Sequence, residues 1–206
     1  MILTPIPRDQ LDAALDRFAA QLDDPATYAA FVRIRATAPE RASGEIAERH
    51  RKQAIAVAGH FGVPVHPPGT HPPFNWDGDA LDGDTEAYVI LHEVAHFVLA
   101  PPERRSVIDF GLGPGPDTRE RIVAERAAVL PLPEREADEA EASLLGILWE
   151  AAFGQPALAS FLDQNWLEGL ERSAVRHFSD VFGRLQRRGL AEAAFPVDRT
   201  SQRAAL

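Results

Sequence analysis

The chain has 206 residues, 45% hydrophobic and 25% charged, an ordinary globular usage that excludes disordered, collagen-like and low-complexity classes. An excess of acids gives a net charge of −10 and a pI near 5.1, a field that repels phosphate backbones and anionic lipid and predicts no nucleic-acid or membrane partner. Cysteine is absent, which removes thiolate metal sites, thiol nucleophiles and disulfide frameworks, so any metal must be held by His, Asp or Glu.

The start MILTPIPRDQ shows no basic segment followed by an apolar one, and the richest apolar stretch, Tyr88 to Ala100, is interrupted by His92, Glu93 and His96. The expectation is a soluble, cytoplasmic protein of one domain. It divides into a helical part over 1–61, a Pro/Gly-rich loop over 62–83 and a core over 84–206. The expected fold class is mainly α with a small β component (α+β).

In chain order, apolar residues at three- and four-residue spacing predict helices over Asp9 to Leu22, around Tyr28 to Ile34, and from Ser43 to about Gly59. Residues 62–76 break all periodicity with five prolines and two glycines. Asp82 or Asp84 is a candidate cap for the next helix, Ala87 to Ala100, whose apolar residues run nearly all round it and predict burial. Residues 106–112, SVIDFGL, read as a short strand, and Asp117 as the cap of a helix over Thr118 to Ala128. A long helix follows over Glu134 to Phe153 and stops at Gly154. A short one starts at Pro156, and a last one runs from about Leu167 to Arg188.

The buried helix carries His92-Glu93-Val94-Ala95-His96. Side chains four residues apart share a helical face, so both imidazoles can reach one ion. Three polar residues in an otherwise apolar helix are costly to bury without a partner, and a metal supplies one. By composition, a chance HExxH match is roughly a 0.02-per-chain event. The site needs a further ligand. Position 102 is Pro102, so a third histidine six residues beyond His96 is absent, and the candidates are Glu136, Glu139 and Glu141 on the long helix. Glu139 shares its face with the small residues Ala142, Ser143 and Gly146, and Glu141 heads the stripe Leu144, Leu145 and Leu148. His66 and His71, in the proline-rich loop, are candidate fourth ligands if the metal is structural and its site closed.

From His92 to Glu120 the sequence resembles the elongation factor P hydroxylase family. The HExxH helix runs into Arg104-Arg105, then Asp109-Phe110-Gly111, then Pro116-Asp117-x-Arg119, in the family's order. The likeness resumes over Glu136 to Gly154, where aligning the terminal glycine places the family's third-ligand glutamate at Glu139, and again over Asn165 to Gly169. Residues 121–130 are extra relative to the family, and the first 80 residues have no counterpart in it.

The resemblance implies a zincin-like metal helix packed on a Glu-bearing helix. It implies Fe(II) held by His92, His96 and Glu139, with O₂ as co-substrate. The implied activity is hydroxylation of a β-lysyl-modified lysine side chain of elongation factor P. Glu93 would then act on a proton or a water beside the metal, with Arg104, Arg105 and Asp109 as possible supports of the site; a buried Arg–Asp pair fixing the loop is the plainer reading of those three. Two other readings stand beside it. One is a zincin-type zinc hydrolase with Glu93 as general base. The other is a non-catalytic metal-binding protein.

Overall fold

A computed structural model of the chain describes residues 6–116, 118–167 and 173–191. The described part is mainly helical. In order it contains α1 (Arg8–Ala19), α2 (Pro25–Arg35), α3 (Gly44–His60), α4 (Ala87–Leu99), α5 (Arg121–Ala127), α6 (Leu132–Ala152), α7 (Ala157–Asp163) and α8 (Ala174–Arg187). Two 3₁₀ turns, Pro102–Arg104 and Ile108–Gly111, lie between α4 and α5.

Helix α4 is the central element. Val89, Ile90, Leu91, Val94, Ala95, His96 and Leu99 are all buried, and the helix packs most extensively on α6 and next on α3. The contact with α6 is close because position 146 has no side chain. A Cβ there would stand 3.3 Å from both the Cα and the N of His92, tighter than ordinary van der Waals contact. Helices α1, α2, α7 and α8 close around an aromatic cluster in which Phe18, Phe31, Phe161 and Phe178 meet with ring centroids 4.7–6.3 Å apart. This joins α1, α2, α7 and α8 into the same apolar core as α4 and α6.

Several expected elements differ. The β component reduces, among the described residues, to two isolated bridges, Val65 with Leu81 and Trp76 with Leu81. Residues 106–112 form no strand. Asp109 and Phe110 adopt left-handed backbone conformations (φ 45° and 53°) and Gly111 follows at 72°. Such conformations are strained for residues with side chains. Here they are over-determined: Asp109 N donates to Trp76 O at 3.0 Å, Thr118 Oγ1 donates to the Asp109 carboxylate at 2.8 Å, and the Phe110 ring stacks on Trp76 at 5.2 Å.

The same Thr118 hydroxyl accepts from Gly115 N at 2.9 Å, so Thr118 stays in the turn and α5 begins at Arg121 rather than at Thr118. Neither Asp82 nor Asp84 caps α4. Asp82 accepts from Asp84 N at 2.9 Å, and Asp84 from Gly69 N at 2.5 Å, while the N-cap position of α4 falls on Glu86. Asp117, and the expected helix between 168 and 172, lie outside the described residues. The last helix is described from Ala174. No helix among the described residues is long and apolar enough to cross a membrane.

Buried Glu150, on α6, is 2% exposed. Burial pushes its pKa from 4.5 up to about 7 against the opposing pull of Ser160 and Arg41. Between those values the folded chain holds a proton that the unfolded chain has released, so stability present below pH 4.5 is lost as the pH rises through 7. Denaturant titrations across this window are expected to show Glu150→Gln gaining roughly 3 kcal/mol on the native chain at the alkaline end. Equal slopes for the two proteins would refute the assignment.

The close helix approach makes a second prediction. Gly146→Val should lower unfolding free energy by about 1–3 kcal/mol through overpacking. Gly59→Ala, at an exposed α3 position where a Cβ meets nothing within 4 Å, should raise it by about 0.5–1 kcal/mol.

Candidate metal centre

Helix α4 projects His92 and His96 from one face, one turn apart. Their Nε2 atoms stand 3.0 Å from each other. Glu139, seven residues and two turns before Gly146 on the same face of α6, reaches both: Oε1 is 3.0 Å from His92 Nε2 and Oε2 is 3.2 Å from His96 Nε2. Three ligands each about 2.1 Å from one centre stand roughly 3.0–3.4 Å apart for angles between right and tetrahedral, so these separations suit a single ion. Among the described residues, His92, His96 and Glu139 form the one group of this kind.

The protonation of the cluster points the same way. Asp138 Oδ1 lies 3.3 Å from His96 Nδ1, and a carboxylate there keeps the Nδ1 proton in place. In neutral His96 the Nε2 atom is then a bare acceptor facing a carboxylate and a second imidazole. Acceptors cannot be packed against acceptors without a cation between them. Without a metal, that cation is a proton. Burial alone would depress the His96 pKa, but Glu139, Asp138 and Glu93 outweigh it and raise it to about 10. For Glu139, desolvation raises the pKa and the two imidazoles prevail, holding the carboxyl well below the usual carboxylate range. A divalent ion resolves the same conflict with both histidines neutral, and the donor set of two imidazoles and one carboxylate fits zinc or iron.

Around the ligands a supporting layer is visible. Arg104, 9% exposed, donates to Asp138 Oδ2 at 2.5 Å and to Phe110 O at 3.3 Å. Burial would raise the Asp138 pKa, but the bonds from His96 and Arg104 overcome it and keep the carboxylate ionised. Arg104, Asp138 and His96 thus form a continuous chain of charge-assisted bonds ending on a ligand. The Phe110 ring stacks on His96 at 5.6 Å. Asp109 faces the same pocket; burial lifts its pKa to about 6 despite the bond from Thr118.

The expected Arg–Asp109 pair does not form. Arg104 pairs with Asp138, Asp109 with Thr118, and Arg105 donates to Ala100 O at 3.0 Å and lies over the Phe97 ring. The other acids of α6 lie elsewhere. Glu141 is buried but pairs with Arg184 and Arg188 at 2.7 and 3.1 Å, and Glu136 is exposed. His66 pairs with Asp77 at 2.7 Å, and His71 lies 3.7 Å from Asp84 with 62% of its side chain exposed, so neither joins the cluster. Glu93 lies on the pocket wall, where its Oε1 accepts from Asn75 Nδ2 at 3.2 Å.

The ligands open on a cavity of about 320 Å³ walled by α4, α6 and the turns around Asp109 and Thr118. Sequence reasoning missed Asp138 and Asn75. Asp138 had a usable signal, an acid beside a candidate ligand on an acid-rich helix together with an unassigned arginine. Asn75 had none. No protein-family model, curated protein or solved structure matches the chain.

Metal titration of the purified protein tests this geometry. Glu139→Ala is expected to abolish tight binding, whereas Glu141→Ala should bind normally and lose only stability. Asp138→Asn should weaken affinity by about 10–100-fold, the range for a residue supporting a ligating histidine. Normal binding by Glu139→Ala would overturn the ligand set.

Proposed function

We propose that the protein is an iron-dependent oxygenase that hydroxylates a lysine side chain, carrying a β-lysyl modification, on elongation factor P. The observation that carries this reading is a three-ligand set of two histidines and one carboxylate. It is gathered on one wall of an open pocket, within a sequence whose flanks, Arg104-Arg105, Asp109-Phe110-Gly111 and Pro116-Asp117-x-Arg119, resemble that hydroxylase family. His92, His96 and Glu139 would hold Fe(II), which when bound would supply the activation of O₂ for insertion of one oxygen atom into a C–H bond, the other leaving as water with two electrons and two protons from an external two-electron reductant.

The chain's own residues do the rest. Arg104 and Asp138 fix the His96 ring and its tautomer. Glu93, steadied by Asn75, sets a carboxylate on the pocket wall where it can take up a proton at Oε1 or Oε2. Asp109 and Glu93 add negative charge to a pocket that would receive a cationic side chain. Phe110 and Leu112 contribute apolar walls for its methylenes.

A zinc hydrolase is the second reading, and the pocket placement of Glu93 favours it, since a general base needs that position. It is weakened for peptide substrates because the described residues contain only isolated β-bridges, with no edge strand on which an extended chain could pair.

Mass spectrometry of elongation factor P from cells with and without the gene separates the two. The oxygenase reading predicts a species heavier by one oxygen atom that disappears on deletion and is not restored by His92→Ala. An unchanged elongation factor P, together with stoichiometric zinc and a peptide cleavage lost in Glu93→Gln, would contradict it.

A further inference from the structure

A second cavity, of about 470 Å³, opens between α3, the first turn of α4 and the end of α6. It shares Arg41 and Tyr88 with the metal pocket. The Arg41 guanidinium lies 3.6 Å over the Tyr88 ring and is held by Ser160 Oγ at 2.6 Å and Asp163 Oδ2 at 2.9 Å. The pair is therefore a fixed wall common to both cavities.

Two lining side chains are almost wholly buried, Glu150 at 2% and Gln155 at 1% exposure. Gln155 gives its amide hydrogens to Gln53 Oε1 at 3.0 Å and His50 O at 3.3 Å. That fixes its orientation, because the flipped amide would set oxygen against two oxygens. Its Oε1 is left buried with no hydrogen-bond partner among the described residues. An acceptor in that state calls for a donor.

Charge in the cavity selects the donor. Arg51 engages Glu48 at 2.6 Å and Asp84 at 3.4 Å, and Arg41 is drawn to Asp163, standing 3.5 Å from Glu150. Burial and nearby Arg49 hold His50 below its ordinary pKa, so it adds no positive charge near neutrality. Among the lining groups Arg41 and Arg51 face four carboxylates, Glu48, Asp84, Glu86 and Glu150, so the cavity is net negative even with Glu150 paired to Arg41.

We propose that this cavity binds a primary alkylammonium ion, whose N–H groups reach Gln155 Oε1 and the Glu150 carboxylate while its alkyl stem lies along the wall beside Tyr88. A neutral donor would satisfy Gln155 but leave uncompensated the excess of lining carboxylates over the two lining guanidiniums, one of which, Arg41, is already shared between Glu150 and Asp163. An anion would meet Glu86 and Glu150. An ammonium group brings three donors and the required charge together. The site does not depend on the metal or on the oxygenase reading.

Calorimetric titration of the intact protein at pH 8 with n-butylammonium chloride, and in parallel with 1-butanol, tests the site. Saturable one-to-one binding of the ammonium ion and none of the alcohol is expected. Glu150→Gln and Gln155→Leu should each weaken it by about tenfold or more, as for loss of a charge-assisted hydrogen bond, and His92→Ala should leave it unchanged. Absence of saturable binding, equal binding of the alcohol, or undiminished affinity in Glu150→Gln would overturn the proposal. So would loss of binding in His92→Ala, which would place the amine in the metal pocket.

Discussion

Two helix backbones meet where α6 passes α4, and the absence of a side chain at Gly146 sets how near they come to His92. Nearly everything at the site follows from that approach. Two turns earlier on α6, Glu139 is carried over both imidazoles, and Ala142 and Ser143 between them keep the seam thin. One residue further back, Asp138 is turned toward His96 and Arg104. A wider crossing would withdraw the ligand and its supporting acid together, because both belong to the same rigid helix.

The second organising force is electrostatic. His92, His96 and Glu139 crowd two imidazoles and a carboxylate around one point, with Asp138 on the far side of the His96 ring, and the cluster favours positive charge at its centre. The surrounding structure is stiff enough to hold it there. Trp76 anchors the proline-rich loop through Arg105 O at 2.9 Å, stacks on Phe110, and Phe110 stacks on His96. Backbone strain at Asp109 and Phe110 is tolerated where the site needs those two side chains on its wall. The loop, which shows no periodicity in sequence, thus has a definite task in positioning a ligand.

Much of this was legible in the residues. The i, i+4 pair His92 and His96 on an apolar helix, and the small-residue face that Glu139 shares with Gly146, are patterns that report spacing along one helix, which sequence encodes directly. Helix phase left Glu139 open beside Glu141 and Glu136, and only the resemblance to the hydroxylase family implied Glu139. What was not legible depended on contacts between distant segments. Residues 106–112 have a strand-like composition, but Thr118 and Trp76 capture Asp109 in a left-handed turn. The expectation paired Asp109 with one of the arginines just before it, whereas Arg104 meets Asp138 across the helix interface. Glu141, buried as its apolar stripe suggested, faces Arg184 and Arg188 of the last helical segment instead of the histidines. The Arg41–Tyr88 wall joins the segment between α2 and α3 to α4, and no local pattern announces it.

Everything at the site rests on α4 and α6 together presenting two imidazoles and one carboxylate where one ion would sit, the one such group among the described residues. X-ray absorption spectroscopy of the protein loaded with Fe(II) addresses it most directly. The expected signal is scattering from two imidazoles per metal with the remaining near neighbours all light oxygen-type donors at about 2.1 Å. A signal without imidazole, or one requiring a third or fourth imidazole, would contradict it.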